Sequence, residues 1–362
     1  MDKIEEIDIL AETVGVDTNI MNNRRALDAQ LRYVVREEKI KWFQRCKEKE
    51  VLEGDCNTKY YHTKANGRKR KSLIHSLVQE DGVISGQQNL LSYITSFYKE
   101  LFGHSKENNV SLNMEGVSKV KKEDIVELTK PFSLEEVKKV VFELRKNRAP
   151  GPDGFPGEFY MKFWDIIKND LLELINDFHK GLLSVERLNY GIVTLVPKTK
   201  DAAQIQKFRP ICLLNVSFKI ITKVLMNRLD RVMMYIISKN QTAFLKNRFI
   251  MEGIVILHEL LNSLHSKKQS GILFKVDFEK AYDKVDWVFV YRMLKSKGFP
   301  DLWCDWVMKV VRGGKVAIKV NDEIGPYFNT HKGLRQGDPL SPLLFNLAAE
   351  ALTLLVQRAE SS

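Results

Sequence analysis

The densest chemistry in the sequence lies in Phe274-Lys-Val-Asp-Phe-Glu-Lys-Ala-Tyr-Asp-Lys-Val-Asp-Trp287. Asp277 stands at the end of an apolar run. A carboxylate there must be paired or hold a cation, because burying it alone is costly. We therefore read Asp277 as a metal ligand, Asp286 as a helix cap and Asp283 as a turn cap. A second constellation, Leu195-Val-Pro-Lys198 with Lys207-Phe-Arg-Pro-Ile211, sets Lys198 and Arg209 at opposite ends of a polar loop leaving a strand. A lysine point charge and an arginine fork can close over a triphosphate. Taken singly, each reads as an ordinary surface charge. The third is Gly333-Leu-Arg-Gln-Gly-Asp-Pro-Leu-Ser-Pro342. Its glycines let backbone approach a ligand closely, with Arg335 and Gln336 between them. It reads either as a nucleotide or template contact or as the capped start of a helix at Asp338 or Ser341. Ala149-Pro-Gly-Pro-Asp-Gly154 reads as a rigid turn between two helices.

A basic loop, Arg68, Lys69, Arg70 and Lys71, follows Gly67 and lies close to Tyr60, Tyr61 and His62. It serves equally as a solvated turn, a nuclear address or a phosphate contact. The whole chain leans the same way: 362 residues carry a formal net charge of +11, which favours a polyanionic partner. Cys46, Cys56, Cys212 and Cys304 show no CxxC spacing, and no HExxH occurs, so zinc-ribbon, thioredoxin-like and zincin motifs have no support. Isolated cysteines suit a reducing compartment. The start, Met1-Asp-Lys-Ile-Glu-Glu6, is too polar for a secretory leader, and the longest apolar stretch, 339–349, is interrupted by Ser341, Pro342 and Asn346. The expectation is an intracellular protein, nuclear or cytoplasmic, with no membrane partner.

The elements that must position these residues follow from periodicity. Residues 24–50 read as a long solvated helix and 103–118 as a linker. Ser133-Leu-Glu-Glu136 is a capping box with a Phe132/Val137 staple, opening a helix stopped by Pro150. Helices are predicted over 157–182, 216–235 and 250–266, and strands over 191–196, 271–278 and 316–320, the last with a turn at Asn321. Asp286 caps a helix over Trp287–Lys297 closed by Gly298, and a last helix follows Pro342. This mixture predicts an α+β fold.

In their order along the chain these segments are specific. From about Leu144 onward the sequence resembles reverse transcriptases of LINE-type (non-LTR) retrotransposons, most like those of plants. The matching segments are Ala149–Gly154, Phe208-Arg-Pro-Ile211 with Leu213-Leu-Asn215, Gln241-Thr-Ala-Phe244 with Asn247-Arg-Phe-Ile250, Asp277–Asp283 and Gly333–Pro342. Leu52–His62 looks like the connector such proteins carry between endonuclease and polymerase. The resemblance implies a right-hand polymerase: fingers and a partial palm, without a thumb, behind a helical, basic N-terminal extension. Its divisions are expected at 1–130, 131–265 and 266–362. It implies addition of deoxynucleotides to a DNA primer on an RNA template by two-metal phosphoryl transfer, using Mg2+ or Mn2+. Asp277 and the Phe278 carbonyl match the first metal ligands, and Tyr282 the ring that excludes a 2′-hydroxyl. Lys198 and Arg209 match triphosphate contacts, and Gln336 the residue beside the incoming nucleotide.

The family also needs an aromatic-x-Asp-Asp motif, and no Asp-Asp dipeptide occurs in this sequence. The expectation is a polymerase truncated at both ends and inactive as an isolated chain. The alternatives are a non-catalytic RNA-binding protein and a retroelement remnant, whose exposed sheet edge would favour aggregation.

Overall fold

The computed structural model describes residues 2–14, 17–46, 63, 66–67, 73–104 and 117–361. The chain forms two compact units, 1–73 and 74–362. The first holds α1 (Asp2–Val14) and α2 (Thr18–Cys46), joined where Arg24 Nε and Nη2 donate to the Asp8 carboxylate at 2.5 and 3.1 Å. The predicted solvated helix is α2, whose Tyr33, Val34 and Val35 are exposed. The segment Leu52–His62 and the basic loop Arg68–Lys71 lie outside the described residues.

The second unit mixes helix and sheet. A hairpin of β1 (Ser76–Gln79) and β2 (Gly82–Ser85) leads into α3 (Gln87–Leu101). Helices α4 (Lys122–Thr129), α5 (Leu134–Glu143), α6 (Gly157–Lys162) and α7 (Trp164–Lys180) follow. Then come β3 (Tyr190–Pro197), β4 (Phe208–Leu214), α8 (Val216–Ile236) and α9 (Ile250–Ser266). The rest is α10 (Trp287–Ser296), α11 (Asp301–Val311), β5 (Lys315–Val320), β6 (Glu323–Ile324), β7 (Phe328–Asn329) and α12 (Ser341–Ser361). The sheet runs β4-β3-β5-β6, with β7 also on β5; β3 is antiparallel to β4 and parallel to β5. Alternation in β3 turns Val193 and Leu195 into the core, where period two requires them.

Helix α8 is the spine, with Phe218, Ile221, Leu225, Leu229 and Met233 among its fully buried residues. Its Arg228, 1% exposed, forms a fork on Glu136, with Nε and Nη2 each 2.8 Å from a carboxylate oxygen. The remaining guanidinium donors reach the Leu128, Lys130 and Pro131 carbonyls, and the Phe132 ring lies beneath at 4.0 Å. This corrects the capping box. Ser133 Oγ does accept from the Glu136 amide at 3.2 Å, but the Glu136 carboxylate turns to Arg228, a stronger, charged donor. At the other end of α8, Arg248 donates to the Met234, Ile237, Ser238 and Gln241 carbonyls and closes its last turn. The resemblance segment around Asn247–Ile250 is thus partly helix capping.

Three expectations change. The helix over 157–182 divides at Phe163, whose carbonyl accepts from both Ile166 and Ile167. The polar loop set between Lys198 and Arg209 ends sooner than expected, because residues 208–214 form strand β4. Proline is tolerated at a sheet edge, where its missing N–H breaks no ladder. The apolar run 271–278 is not a strand. It is irregular and exposed, Ile272 to 98% and Phe274 to 84%. A strand needs a ladder, and here β3 is flanked by β4 and β5, the far side of β5 holds β6 and β7, and β4 bonds to the loop at Gln336. Helix α9 forms as predicted, yet none of its residues is buried.

Candidate active site

The β3–β4 hairpin brings Lys198 and Arg209 together. Arg209 pairs across the ladder with Val196, and Lys198 follows Val196 by two residues, so period two sends both side chains to one face. The ladder continues one step past β3, with the Lys198 amide donating to the Lys207 carbonyl at 2.8 Å. Lys198 Nζ is exposed and caps the Gln206 carbonyl at 3.1 Å.

The Gly333–Pro342 loop is laced to this hairpin and to the Asp277–Asp283 segment. The Cys212 amide of β4 donates to the Gln336 carbonyl at 2.7 Å. The Gly333 and Leu334 amides donate to the Val285 and Tyr282 carbonyls, each at 2.8 Å, and Trp287 Nε1 donates to the Gly333 carbonyl at 2.8 Å. The two glycines therefore serve the protein's own backbone rather than a ligand. A Cβ at Gly333 (φ +89°) would lie 2.7 Å from the Asp283 carbonyl, and one at Gly337 (φ +124°) 2.5 Å from the Cys212 carbonyl. Likewise Ala149–Gly154 is architecture: Asn215, buried, accepts from the Asp153 amide and donates to the Leu188 carbonyl.

Where these segments meet, the structure adds two residues that sequence reasoning did not place in the site, Asp283 having been read as a turn cap. Asp283, 2% exposed, lies in the short 3-10 turn Tyr282–Lys284, and Gln336 Nε2 is 3.5 Å from its Oδ1. Lys280, held at φ +51°, lays its ammonium 4.1 Å from the Phe97 ring centroid and 5.1 Å from Tyr98 on α3. Asp283 Oδ2, Lys280 Nζ and the Tyr98 hydroxyl are all buried without a hydrogen-bond partner. Burial pushes the Asp283 carboxyl up to about 6 against the opposing charges of Lys280, Lys198 and Lys284. Burial lowers the Lys280 ammonium to about 8, partly offset by Asp283. The left-handed backbone at Lys280 has no signature in a lysine, and a lone aspartate in a turn reads as a cap, so neither residue was legible in advance.

Tyr282 stacks on Phe345 of α12, with centroids 4.4 Å apart and planes 12° apart, and burial raises its phenol to about 12. The structure thus gathers Lys198, Tyr282 and Gln336, with Lys280 and Asp283, around the seam between β4 and the Gly333–Pro342 loop. Arg335 turns away. Its guanidinium donates to Asn189 Oδ1, lies 5.5 Å from the Phe218 ring centroid and occupies the space that a Cβ on Gly314 would need. Asn189 in turn donates to the Val310 and Arg312 carbonyls, so Arg335 ties the loop to the end of α11.

Asp277 and Phe278 are exposed on the irregular run rather than held on a strand. Glu279 pairs with Lys284 at 3.4 Å, and Asp283 faces Gln336. Among the described residues no group of three or more histidine, cysteine, aspartate or glutamate side chains could hold a metal ion. One carboxylate and one carbonyl do not make a divalent-cation site against hydration, and these residues do not fit the ion the family resemblance implies.

Residues 196–360 match the family model described as reverse transcriptase (RNA-dependent DNA polymerase). That stretch is similar to the reverse transcriptase family. The chain is similar to the transposon TX1 uncharacterized 149 kDa protein of Xenopus laevis, 25% identical over 308 residues, which cover 84% of this chain and 24% of that protein. It is 28% identical over 229 residues to a retrovirus-related Pol polyprotein from the R2 retrotransposable element of Nasonia vitripennis, covering 63% of this chain and 22% of that one. It is 24% identical over 221 residues to an RNA-directed DNA polymerase from the mobile element jockey of Drosophila funebris, covering 60% and 24%. The chain therefore spans at most about a quarter of these relatives' lengths. The matched stretch includes Lys198, Arg209, Lys280, Tyr282, Asp283 and Gln336.

Proposed function

We propose that this chain carries the nucleotide-binding part of an RNA-directed DNA polymerase of a non-LTR retrotransposon, built as the fingers and part of the palm of a right-hand polymerase. The observation that carries the proposal is the junction of three segments, where Lys198, Tyr282, Gln336, Lys280 and Asp283 gather beside a reverse transcriptase hairpin. Lys198 and Arg209 would hold the triphosphate, one as a point charge and one as a fork. Tyr282, its ring fixed by Phe345, would sit under the sugar and leave no room for a 2′-hydroxyl. Gln336, oriented by Asp283, would lie beside the base. The partners are then an RNA template, a DNA primer and a deoxynucleoside triphosphate, in an intracellular setting. The plant-type assignment rests on the spelling of the motifs, since the relatives above come from a frog and insects.

The sequence contains no Asp-Asp dipeptide, and among the described residues Asp277 belongs to no group of three or more side chains that could hold a metal ion. We therefore expect this chain to bind nucleotide without extending a primer. Titration with a fluorescent deoxynucleoside triphosphate tests the first half. Lys198→Ala and Gln336→Ala should each weaken binding about tenfold, the equivalent of ~1.4 kcal/mol, and Tyr282→Ala should bring ribo- and deoxynucleotides toward parity. Unchanged affinity in all three variants would remove the proposal. Primer extension with magnesium tests the second half: incorporation that Asp277→Ala abolishes would overturn the expected inactivity.

A further inference from the structure

Helix α9 is apolar and uncovered. It runs 17 residues from Ile250 to Ser266, and none of them is buried. Ile250 is 63%, Ile254 55% and Leu261 44% exposed. A helix apolar around most of its girth is normally enclosed by other elements. The apolar positions here are also ordered. Ile250, Ile254, Leu257, Leu261 and Leu264 follow one another in steps of four, three, four and three residues.

That spacing is the heptad step of a helix pair, in which each side chain of one helix enters a hole between four residues of the other. Charge stays out of the stripe. Glu252, Glu259 and Ser266 recur every seventh residue on the opposite side of the helix. His258 and Asn262 bond each other instead, Asn262 Nδ2 donating to His258 Nδ1 at 3.2 Å. Two such stripes can therefore close without burying a carboxylate, which would be costly at the contact. Apolar exposure continues past the helix, where Ile272, Leu273 and Phe274 stand open. Helix and run together expose apolar surface on the order of 1,000 Å² per copy, above the ~800 Å² per partner of a standard stable interface.

The pattern selects the occupant. An added strand would pair with the irregular run 271–278 and leave the heptad stripe bare. A foreign helix would need a stripe of the same length and register. A second copy of this chain carries that stripe by construction. Leu257 stands midway between Ile250 and Leu264, so a twofold axis beside it sets the stripe against itself. We propose that α9 is a dimerisation helix, which pairs along Ile250, Ile254, Leu257, Leu261 and Leu264 with α9 of a second copy. The proposal is independent of the nucleotide seam and of the polymerase reading.

The test follows the full chain by sedimentation velocity from about 1 to 100 μM, where an interface of standard size is already expected to associate. The parent should pass from monomer to dimer. Ile254→Glu with Leu261→Glu should raise the dissociation constant about a hundredfold or more, since like charges would meet across the contact. The melting curve should not move, because neither residue is buried within the chain. A crosslink gives a second measurement that needs no disruptive variant. With Cys46 and Cys56 replaced by serine, Leu257→Cys should form a disulfide-linked dimer in air, since the middle of the stripe meets its counterpart in either helix direction. Glu259→Cys, at the back of the helix, should not. A chain that stays monomeric overturns the proposal, and the Leu257→Cys thiol then says why: slow labelling means that the chain's own residues cover the helix, fast labelling that the face is left for a different partner. A dimer that survives the paired glutamates overturns it too, as does equal crosslinking at both positions. So do glutamates that abolish the cooperative melt, which would place α9 in the core of its own chain.

Discussion

Asp283 shows how much one side chain can alter the meaning of a motif. In a turn full of acids it reads as a cap, yet it is the most enclosed carboxylate of its segment, with one oxygen facing Gln336 and the other unpartnered. Its carboxyl, raised to about 6, binds a proton more tightly in the folded chain than in the unfolded one. Its contribution to stability is therefore complete below the unfolded value near 4 and is lost as pH rises through about 6. Asp283→Asn, neutral throughout, should be more stable than the parent at pH 7 by about 1–3 kcal/mol, with the gap closing below pH 4. Denaturant midpoints at the two pH values measure it; a gap that persists in acid would show that the carboxylate is not the source. Lys280 belongs to the same residue-scale lesson. Its backbone conformation and its seat on Phe97 depend on α3, far away in sequence, and leave no trace in the Asp277–Asp283 motif itself.

Among the elements, legibility followed local physics. Helices with a cap and a stripe were readable: α5 begins at Ser133, α8 spans the predicted range, and α10 is capped by Asp286 Oδ1, which accepts from Phe289 at 2.9 Å. Strand β5 and its turn at Asn321 were readable for the same reason. Elements whose identity depends on neighbours were not. The run 271–278 has strand composition but no ladder, and β4 has a ladder despite its proline. Helices α3, α4 and α11 passed unread. Arg228 also acts between elements, because its fork fixes α8 to the α4–α5 connection. Arg228→Met should destabilise the protein by about 3–5 kcal/mol, since it strands the half-buried Glu136 and three carbonyls. A chemical-denaturation midpoint within experimental error of the parent would contradict that role.

At the scale of the molecule, the buried hydrophobic cluster among the described residues begins at Ile74 and runs to Leu347, inside the second unit. Residues 74–362 should therefore fold without residues 1–73, melting in one cooperative step and retaining nucleotide affinity. A broad, non-cooperative transition in the shortened chain would show that the first unit supplies stability. The positive charge that first suggested a polyanion is a property of the entire chain, and composition could not say where it acts. The Arg68–Lys71 loop, the sequence's own candidate, lies outside the described residues.

The hydrogen bond from Cys212 to Gln336 places a thiol at the back of the nucleotide seam. Cys212 is 4% exposed, and burial pushes its thiol up to about 11, so it is both hidden and protonated at neutral pH. A disulfide reagent can reach it only while β4 and the loop are parted, which makes its labelling rate a clock for that parting. With Cys46 and Cys56 replaced by serine and Cys304 buried in α11, Cys212 should react far more slowly than a free thiol. Saturating deoxynucleotide should slow it further, so the chain carries its own stopwatch for how often the seam unlatches.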